Sequence, residues 1–506
     1  MSAGIGSGSL GYASRLSRRD DYGGQLGAAE YFAQEAEVEE ASRALAELIA
    51  ASRRVVAFTG AGVSTSCGVP DFRGPNGVWT RERKGLPPPA ASLPFELARP
   101  GLTHMAIRTL AAAGKVVYTI SQNVDCLHLR SGIPRDELAE LHGNCFAERC
   151  EDCGAEYVRD FEVESVGFKS TGRRCTARKK RARSRAKGHD DLLELAGPVC
   201  GGRLRDNCLD WEDALPVKEL RRSERECRDA DLVLCLGTSM EITPACNLPL
   251  KAVRKGGKMA IVNLQKTPKD SKAALVIRAR VDDVMSRVMR MLGMEIFDYV
   301  RVDRFVVETA ARHAFDEETC GEPAGASGVN VPGEPEHTRL QITLRNAGGA
   351  RCPPPTFAAR LHARARGGAR ASTSAAPRLS VRVPVASPGT DADPFLAHLD
   401  LSIELREGVR PAANAAGSEP VSIAVAHAVA VPCAKPGCRT TRGAAMSERA
   451  YEVETCRIKY SHGGGDGEGG GDAASGGASG VAKAVDSKVG AEIGGENCSA
   501  SKRQKA

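Results

Sequence analysis

The residues able to do chemistry fall in a few short stretches. Phe58-Thr59-Gly60-Ala61-Gly62-Val63-Ser64-Thr65 is an apolar run that ends in a glycine turn, an arrangement that brings backbone amides against a pyrophosphate. Gln122-Asn123-Val124-Asp125, followed by Leu141-His142-Gly143-Asn144, supplies an amide, a carboxylate and an imidazole. Such groups orient a ribose and move its protons. Imidazole suits proton transfer because its ordinary pKa, about 6.5, lies near working pH. Pro70-Asp71-Phe72-Arg73-Gly74-Pro75-Asn76-Gly77-Val78-Trp79 is too rich in glycine and proline for a helix or central strand, yet carries a carboxylate, an arginine and two aromatics. It reads as a loop that closes over a cleft.

A metal pattern follows. Cys150-Glu151-Asp152-Cys153-Gly154 has the spacing of two ligands, and Cys175 and Cys200 make up a split set of four for one tetrahedral Zn2+. With no histidine or acid among the ligands, the metal would be structural. Cys145, Cys150 and Cys153 also match the spacing of a plant-type iron–sulfur centre, and Cys208 could stand in for Cys200. A basic run comprises Arg173, Arg174, Arg178, Lys179, Lys180, Arg181, Arg183, Arg185 and Lys187. It is either a nuclear address or DNA contact, or a solvated insert.

The elements that must position these groups alternate in type. Residues 31–54 carry Val38, Leu45, Leu48 and Ile49 at helical spacing. Strands are expected at 55–59, 116–120, 231–237 and 259–263, with helices at 103–113, 215–229 and 281–292. Alternation of this kind implies a doubly wound parallel α/β sheet, Rossmann-like, whose ligands bind at the carboxyl ends of the strands. Those ends hold Gly60-Ala61-Gly62, Gln122-Asn123, Gly237-Thr238-Ser239 and Asn263-Leu264-Gln265, so all four should converge on one cleft. Beyond residue 304 the pattern changes to period-two alternation at 340–344, 379–383, 399–405 and 421–425, with a further strand starting at 451. This is either a β-sandwich-like region or loosely ordered chain with β propensity. Residues 1–30 read as a flexible tail and 461–506 as disordered.

At 506 residues the chain is long enough for two or three domains, and 42% hydrophobic residues suffice for a core. No run of about 18 apolar residues is present, which argues against a membrane partner. The 17 cysteines, an odd number with no export pattern, read as reduced thiols. The net charge of +7 is modest and concentrated in the basic run.

Taken together the motifs resemble the sirtuins, the NAD-dependent protein deacylases, over residues 8–300. The family's motifs stand at Gly60-Ala61-Gly62-Val63-Ser64, Pro70-Asp71-Phe72-Arg73, Gln122-Asn123-Val124-Asp125, Leu141-His142-Gly143, Gly237-Thr238-Ser239 and Val262-Asn263-Leu264-Gln265. Leu209-Asp210-Trp211-Glu212-Asp213 and Asn247-Leu248-Pro249-Leu250 are similar to class IV, nearest the sixth mammalian sirtuin, and Leu10-Gly11-Tyr12-Ala13 to its plant members. The resemblance implies NAD as cofactor. Its phosphates would lie against Gly60, Ala61, Gly62, Thr65, Gly237, Thr238 and Ser239, with Asn263 and Gln265 on the adenosine side and Val281 near the adenine. Ser64, Asn123 and Asp125 would hold the nicotinamide. Phe72 would shield the reacting centre and Arg73 position the ribose, with Asp71, Trp79 and Gln122 completing the cofactor set. His142 would be the general base, with Asn123 also catalytic.

The implied products are free lysine, nicotinamide and O-acyl-ADP-ribose, the implied substrates acylated protein lysines such as histone tails, and the implied location the nucleus. Protein mono-ADP-ribosylation and a non-catalytic, NAD-sensing chromatin scaffold are the alternatives. The family's four-cysteine site has a shorter second spacing, which makes the basic run an insertion within a zinc module at 147–208. One departure stands out. Cys126 occupies a position where the family commonly has glycine, and a positive φ there would be strained.

Overall fold

The computed structural model describes residues 9–17, 19, 21–89, 95–178, 198–312, 337–346, 358–365, 370–374, 379–386, 395–405, 422–431, 446–460 and 483–485. They divide into two units, one up to Phe297 and one from Asp298.

The first unit opens with helices α1 (Ser9–Arg15) and α2 (Glu35–Ala51), then strand β1 (Val55–Thr59), α3 (Val78–Arg83) and α4 (Leu102–Ala112). Next come β2 (Val116–Ser121), α5 (Leu127–Arg130) and β3 (Leu138–Glu140). An antiparallel set follows: β4 (Gly143–Cys150), β5 (Glu156–Val158), β6 (Ser170–Arg174) and β7 (Arg203–Cys208). The unit ends with α6 (Val217–Arg228), β8 (Leu232–Leu236), α7 (Leu250–Val253), β9 (Lys258–Val262), β10 (Leu275–Ile277) and α8 (Val281–Met291).

Six strands form one parallel sheet in the order β10-β9-β8-β1-β2-β3. Val55 to Thr59 are all buried, as strands covered by helices on both faces must be. Successive residues face opposite sides. Val56, Phe58, Tyr118, Ile120, Val233 and Cys235 therefore pack with Cys227 of α6 and Ala252 of α7, while α2, α4 and α8 pack together on the other side. The chain winds outward from β1 in one direction and from β8 in the other, so the crevice of a doubly wound sheet opens between these two strands.

The segment 9–30 is not a tail where it is described. Tyr12 of α1 is buried and donates to the Leu209 carbonyl at 3.2 Å, Arg15 donates to the Val163 carbonyl at 2.9 Å, and Leu26 packs with Val78 and Trp79. Apolar anchors spaced among glycines hold it down, a pattern that composition alone reads as disorder. Residues 1–8 lie outside the described residues.

The second unit contains β11 (Tyr299–Arg312), β12 (His337–Asn346), β13 (Ala358–Ala365), β14 (Arg370–Ser374), β15 (Leu379–Ala386), β16 (Phe395–Leu405), β17 (Ser422–Val431), β18 (Met446–Ile458) and β19 (Lys483–Val485). They make two sheets, β15-β12-β11-β18-β19 and β14-β13-β16-β17, antiparallel throughout. Burial alternates, at Phe305, Val307 and Thr309, at Ile342 and Leu344, and at Leu399, Leu401 and Ile403. Burial at every second residue is what the period-two alternation of the sequence predicts for strands with one covered face. The expected disordered stretch 461–506 lies outside the described residues except for β19, which pairs with β18.

Candidate active site

Parallel register lines up the carboxyl ends of the six strands. Glu140 is opposite Ser121, Ser121 opposite Thr59, Thr59 opposite Leu236, Leu236 opposite Val262, and Val262 opposite Ile277. The residues just beyond that row are those singled out in the sequence: His142, Gln122 and Asn123, Gly60, Gly237 and Asn263.

At the switch point, backbone meets backbone. Gly62 N–H donates to the Gly237 carbonyl at 2.9 Å. A Cβ on Gly60 would lie 2.7 Å from the Gly237 carbonyl oxygen, and one on Gly62 2.7 Å from the Gly237 Cα. Any side chain there would push the two loops apart. Gly237 itself has a φ of 56°. Ala61 is half-buried, and exposed Thr65 donates its hydroxyl to the Gly62 carbonyl at 3.2 Å. Buried Thr238 accepts from Gln122 Nε2 at 2.9 Å, and Ser239 beside it is half-buried. No carboxylate occurs among residues 60–65 or 237–239, which fits an anion such as a pyrophosphate.

Beneath this turn lies a small polar network. Ser64 Oγ donates to Asp125 Oδ2 at 2.7 Å. Asn123 Nδ2 donates to the Gly60 carbonyl at 3.1 Å and to Ser64 Oγ at 3.2 Å. Asp125 Oδ1 accepts from Leu127 N–H at 2.9 Å, so the carboxylate also caps the first turn of α5. All three side chains are buried. Between Asp125 and α5 stands Cys126 with a φ of 66°. The glycine-favouring conformation is therefore real, and the buried thiol is accommodated within it.

His142 lies two residues beyond the end of β3. Its Nδ1 lies 3.0 Å from the Gln122 carbonyl oxygen. A carbonyl only accepts, so Nδ1 carries the proton and Nε2 keeps a lone pair. Burial pushes the imidazole pKa down to about 4, with the Arg73 charge adding to the effect and the Gln122 bond opposing it. The ring is thus neutral at physiological pH and able to accept a proton. Gly143, with a φ of 87°, lets β4 start hard against β7: a Cβ there would sit 1.9 Å from the Asn207 carbonyl oxygen. Two residues before the histidine, burial raises the Glu140 carboxyl to about 7 despite Arg135, and Glu140 Oε1 accepts from Asn144 Nδ2 at 2.8 Å.

The 71–79 loop folds on itself. Asp71 Oδ1 accepts from Gly74 N–H at 3.0 Å, and burial raises its pKa. Arg73 donates to the Tyr22 and Gly23 carbonyls at 2.9 and 3.1 Å and stacks over Trp79 at 4.6 Å. Burial lowers its pKa to about 10. Half-buried Phe72 lies 4.5 Å from the Trp79 ring, which is 4.9 Å from Trp211. Trp79 itself is buried and packs with Leu26 and Val78. On the far side of the switch point, Asn263 Nδ2 donates to the Gln265 carbonyl at 2.9 Å, and Gln265 Nε2 to the Ala28 carbonyl at 2.7 Å. Val281 is buried at the start of α8, which packs against residues 61–63. Sequence reasoning missed the contribution of 22–28, which supplies carbonyls to both Arg73 and Gln265. No sequence signal pointed to it.

The sulfur atoms of Cys150, Cys153, Cys175 and Cys200 all lie within 4.8 Å of one another. Cys150 and Cys200 are 3.8 Å apart, and Cys153 and Cys175 3.5 Å. A tetrahedron with Zn–S near 2.3 Å has S–S edges of about 3.8 Å, so the four fit zinc. Cys145 and Cys208 lie apart from this set with their sulfurs 3.1 Å from each other, which removes both the iron–sulfur spacing and the Cys208 alternative. Arg173 also leaves the basic run. It is buried and bonded at 2.6 Å to Glu148, a fully buried carboxylate that Arg159 holds from its other oxygen. Arg174 and Arg178 are exposed, while residues 179–187 of the run lie outside the described residues.

Comparison with known proteins bears on this geometry. Residues 89–244 match the model of the Sir2 family. The chain is 54% identical over 299 residues to the NAD-dependent protein deacetylase SRT1 of Arabidopsis thaliana, covering 59% of each chain. It is 51% identical over 295 residues to SRT1 of Oryza sativa subsp. indica, covering 58% of this chain and 57% of the relative. The chain thus spans less than two thirds of the length of these plant relatives. It is 46% identical over 292 residues to the NAD-dependent protein deacetylase Sirt6 of Drosophila melanogaster, covering 58% of this chain and 87% of that relative. With that coverage, the chain belongs to the Sir2 family, the sirtuins.

Proposed function

We propose that the chain is an NAD-dependent protein-lysine deacylase that releases nicotinamide, free lysine and O-acyl-ADP-ribose. The observation that carries this reading is the 3.0 Å bond from His142 Nδ1 to the Gln122 carbonyl, which leaves Nε2 of the neutral ring with a lone pair, on a residue just beyond the strand ends where the glycine turns also lie. NAD, when bound, supplies a ribose carbon activated toward an acyl oxygen and a nicotinamide able to leave. The protein's residues do the rest. Gly60, Ala61, Gly62, Thr65, Thr238 and Ser239 take the phosphates, and Asn263, Gln265 and Val281 the adenosine end. Ser64, Asn123 and Asp125, already locked together, present polar groups to the carboxamide. Phe72 excludes water, Arg73 orients the ribose, and His142 Nε2 accepts the proton of a ribose hydroxyl.

The four cysteines hold one structural Zn2+ in the β4–β7 module. Acylated histone tails as substrate and a nuclear location rest on the class IV resemblance, and DNA contact rests on the charge of the basic run. The test is mass spectrometry of products from NAD and an acetylated or myristoylated histone peptide, with His142→Ala in parallel. Free lysine and O-acyl-ADP-ribose that depend on His142 are expected. ADP-ribose attached to protein, with the peptide still acylated, would replace the deacylase by a transferase. No NAD consumption would sink both.

A further inference from the structure

We infer that Cys145 and Cys208 form an oxidisable dithiol, a disulfide site that fastens the zinc module at the end opposite its metal. Their sulfurs are 3.1 Å apart, so an approach of about 1 Å reaches the length of a disulfide bond. They come from two strands of one sheet. β4 and β7 run antiparallel with Cys150 opposite Leu204 at one end and Gly143 opposite Cys208 at the other. Zinc ligands Cys150 and Cys200 flank the first end, and the thiol pair sits at the second. The same ladder therefore carries a metal clasp and a thiol clasp. Leu209 N–H donates to the His142 carbonyl at 3.1 Å, which puts the thiol clasp beside the histidine loop. The inference does not depend on the deacylase reading.

Both thiols are buried, in a cluster with Tyr12, Phe95, Val124, Cys126, Leu127 and Phe146. Tyr12 of α1 covers the pair and bonds to Leu209. Burial raises the Cys145 thiol, which slows its reaction but does not change its partner.

With a peroxide as oxidant, one thiolate attacks an oxygen and breaks the O–O bond. This leaves a sulfenic acid and, after protonation, water. The second thiol then displaces the hydroxyl as a second water and closes the S–S bond. Two electrons pass from the two sulfurs to the peroxide. The closed loop contains the whole zinc module and restricts its unfolded state.

The test uses the zinc-loaded full-length protein, treated with hydrogen peroxide, quenched with an alkylating reagent and mapped by mass spectrometry. A Cys145–Cys208 cross-linked peptide, lost on reduction, is expected. After chelation of the zinc, hydrogen exchange across 143–208 should be at least about tenfold slower in the cross-linked protein than in the reduced protein. Cys208→Ser and, separately, Cys145→Ala should each abolish the cross-link and that difference. Recovery of both residues alkylated after peroxide treatment, or cross-linking of either to a different cysteine, would overturn the inference. So would equal exchange in the oxidised and reduced proteins. Because the decisive comparison is within the unaltered chain, a variant that fails to fold does not protect the idea.

Discussion

Two histidines beneath the active site should make folding acid-sensitive by a calculable amount. His104 and His128 are buried, with ring centroids 4.8 Å apart. His128 Nε2 is 2.8 Å from Thr59 Oγ1, and Gly101 N–H donates to His104 Nδ1 at 3.2 Å. Burial pushes both pKa values down to about 3, and for His128 the neighbouring His104 adds to the effect. Both are therefore neutral in the folded chain, whereas in the unfolded chain each takes up a proton near pH 6.5. Between those limits the unfolded state binds more protons, so stability rises with pH and falls on acidification. Lowering the pH from about 7 to about 5.5 costs about 1.2 kcal/mol per histidine, or about 2.5 kcal/mol for the pair. Any folded value below about 4.5 gives the same figure. The assay is urea unfolding at the two pH values for the natural chain and for His104→Asn/His128→Gln, whose amides mimic the bonded nitrogens without titrating. The pH-dependent loss should shrink by about 2.5 kcal/mol in the double variant. His142, Glu140 and the other titrating groups are common to both proteins and cancel. An unchanged loss would refute the reasoning.

Three further outcomes are expected. If His142 is the base, kcat/KM for deacylation stays level through pH 6.5 and falls only as the ring protonates near about 4. An acid limb centred on the ordinary histidine value would contradict the half-buried, neutral ring. Chelating the zinc should speed hydrogen exchange across β4–β7 while the parallel sheet stays protected, and uniform protection would show that the metal is dispensable to the module. Replacing Cys126 by glycine relieves about 1–2 kcal/mol of left-handed strain but gives back roughly 0.5–1 in chain freedom and roughly 1 in lost burial. Stability by denaturant titration should therefore stay within about 1 kcal/mol and turnover should be retained, and a larger loss would make the thiol an anchor.

The parallel sheet and its loop ends were legible in the sequence because buried strands such as Val55–Thr59 read as short apolar runs stopped by glycine. The zinc ligands were legible through Cys150 and Cys153, while Cys175 and Cys200 needed the fold to join them across the basic insert. The short strands β3 and β10, and β13 and β14 in the second unit, were not expected, and three other features were not legible either. The 9–30 segment is held by Tyr12, Leu26 and carbonyl contacts too sparse to make a periodic signal. β11, the central partner of β12 and β18, mixes charge into its alternation at Arg301, Asp303 and Arg304 and so resembled a boundary. Arg173 looked like one more surface cation. Only its place opposite Glu148, Arg159 and Glu164 shows it to be part of the module's interior.

The chain has two tryptophans, and both belong to the aromatic stack on the 71–79 loop, with Trp79 and Trp211 4.9 Å apart, Tyr22 stacked on Trp79 and Arg73 above it. All indole emission of the protein therefore originates within one ring stack beside the cleft. At that separation the two indoles exchange excitation and should give a paired near-ultraviolet dichroism signal. Any event that moves Arg73 or Phe72 is written directly into the intensity and colour of the emitted light. The molecule thus carries its own optical gauge of loop position, readable in a stopped-flow instrument without a label.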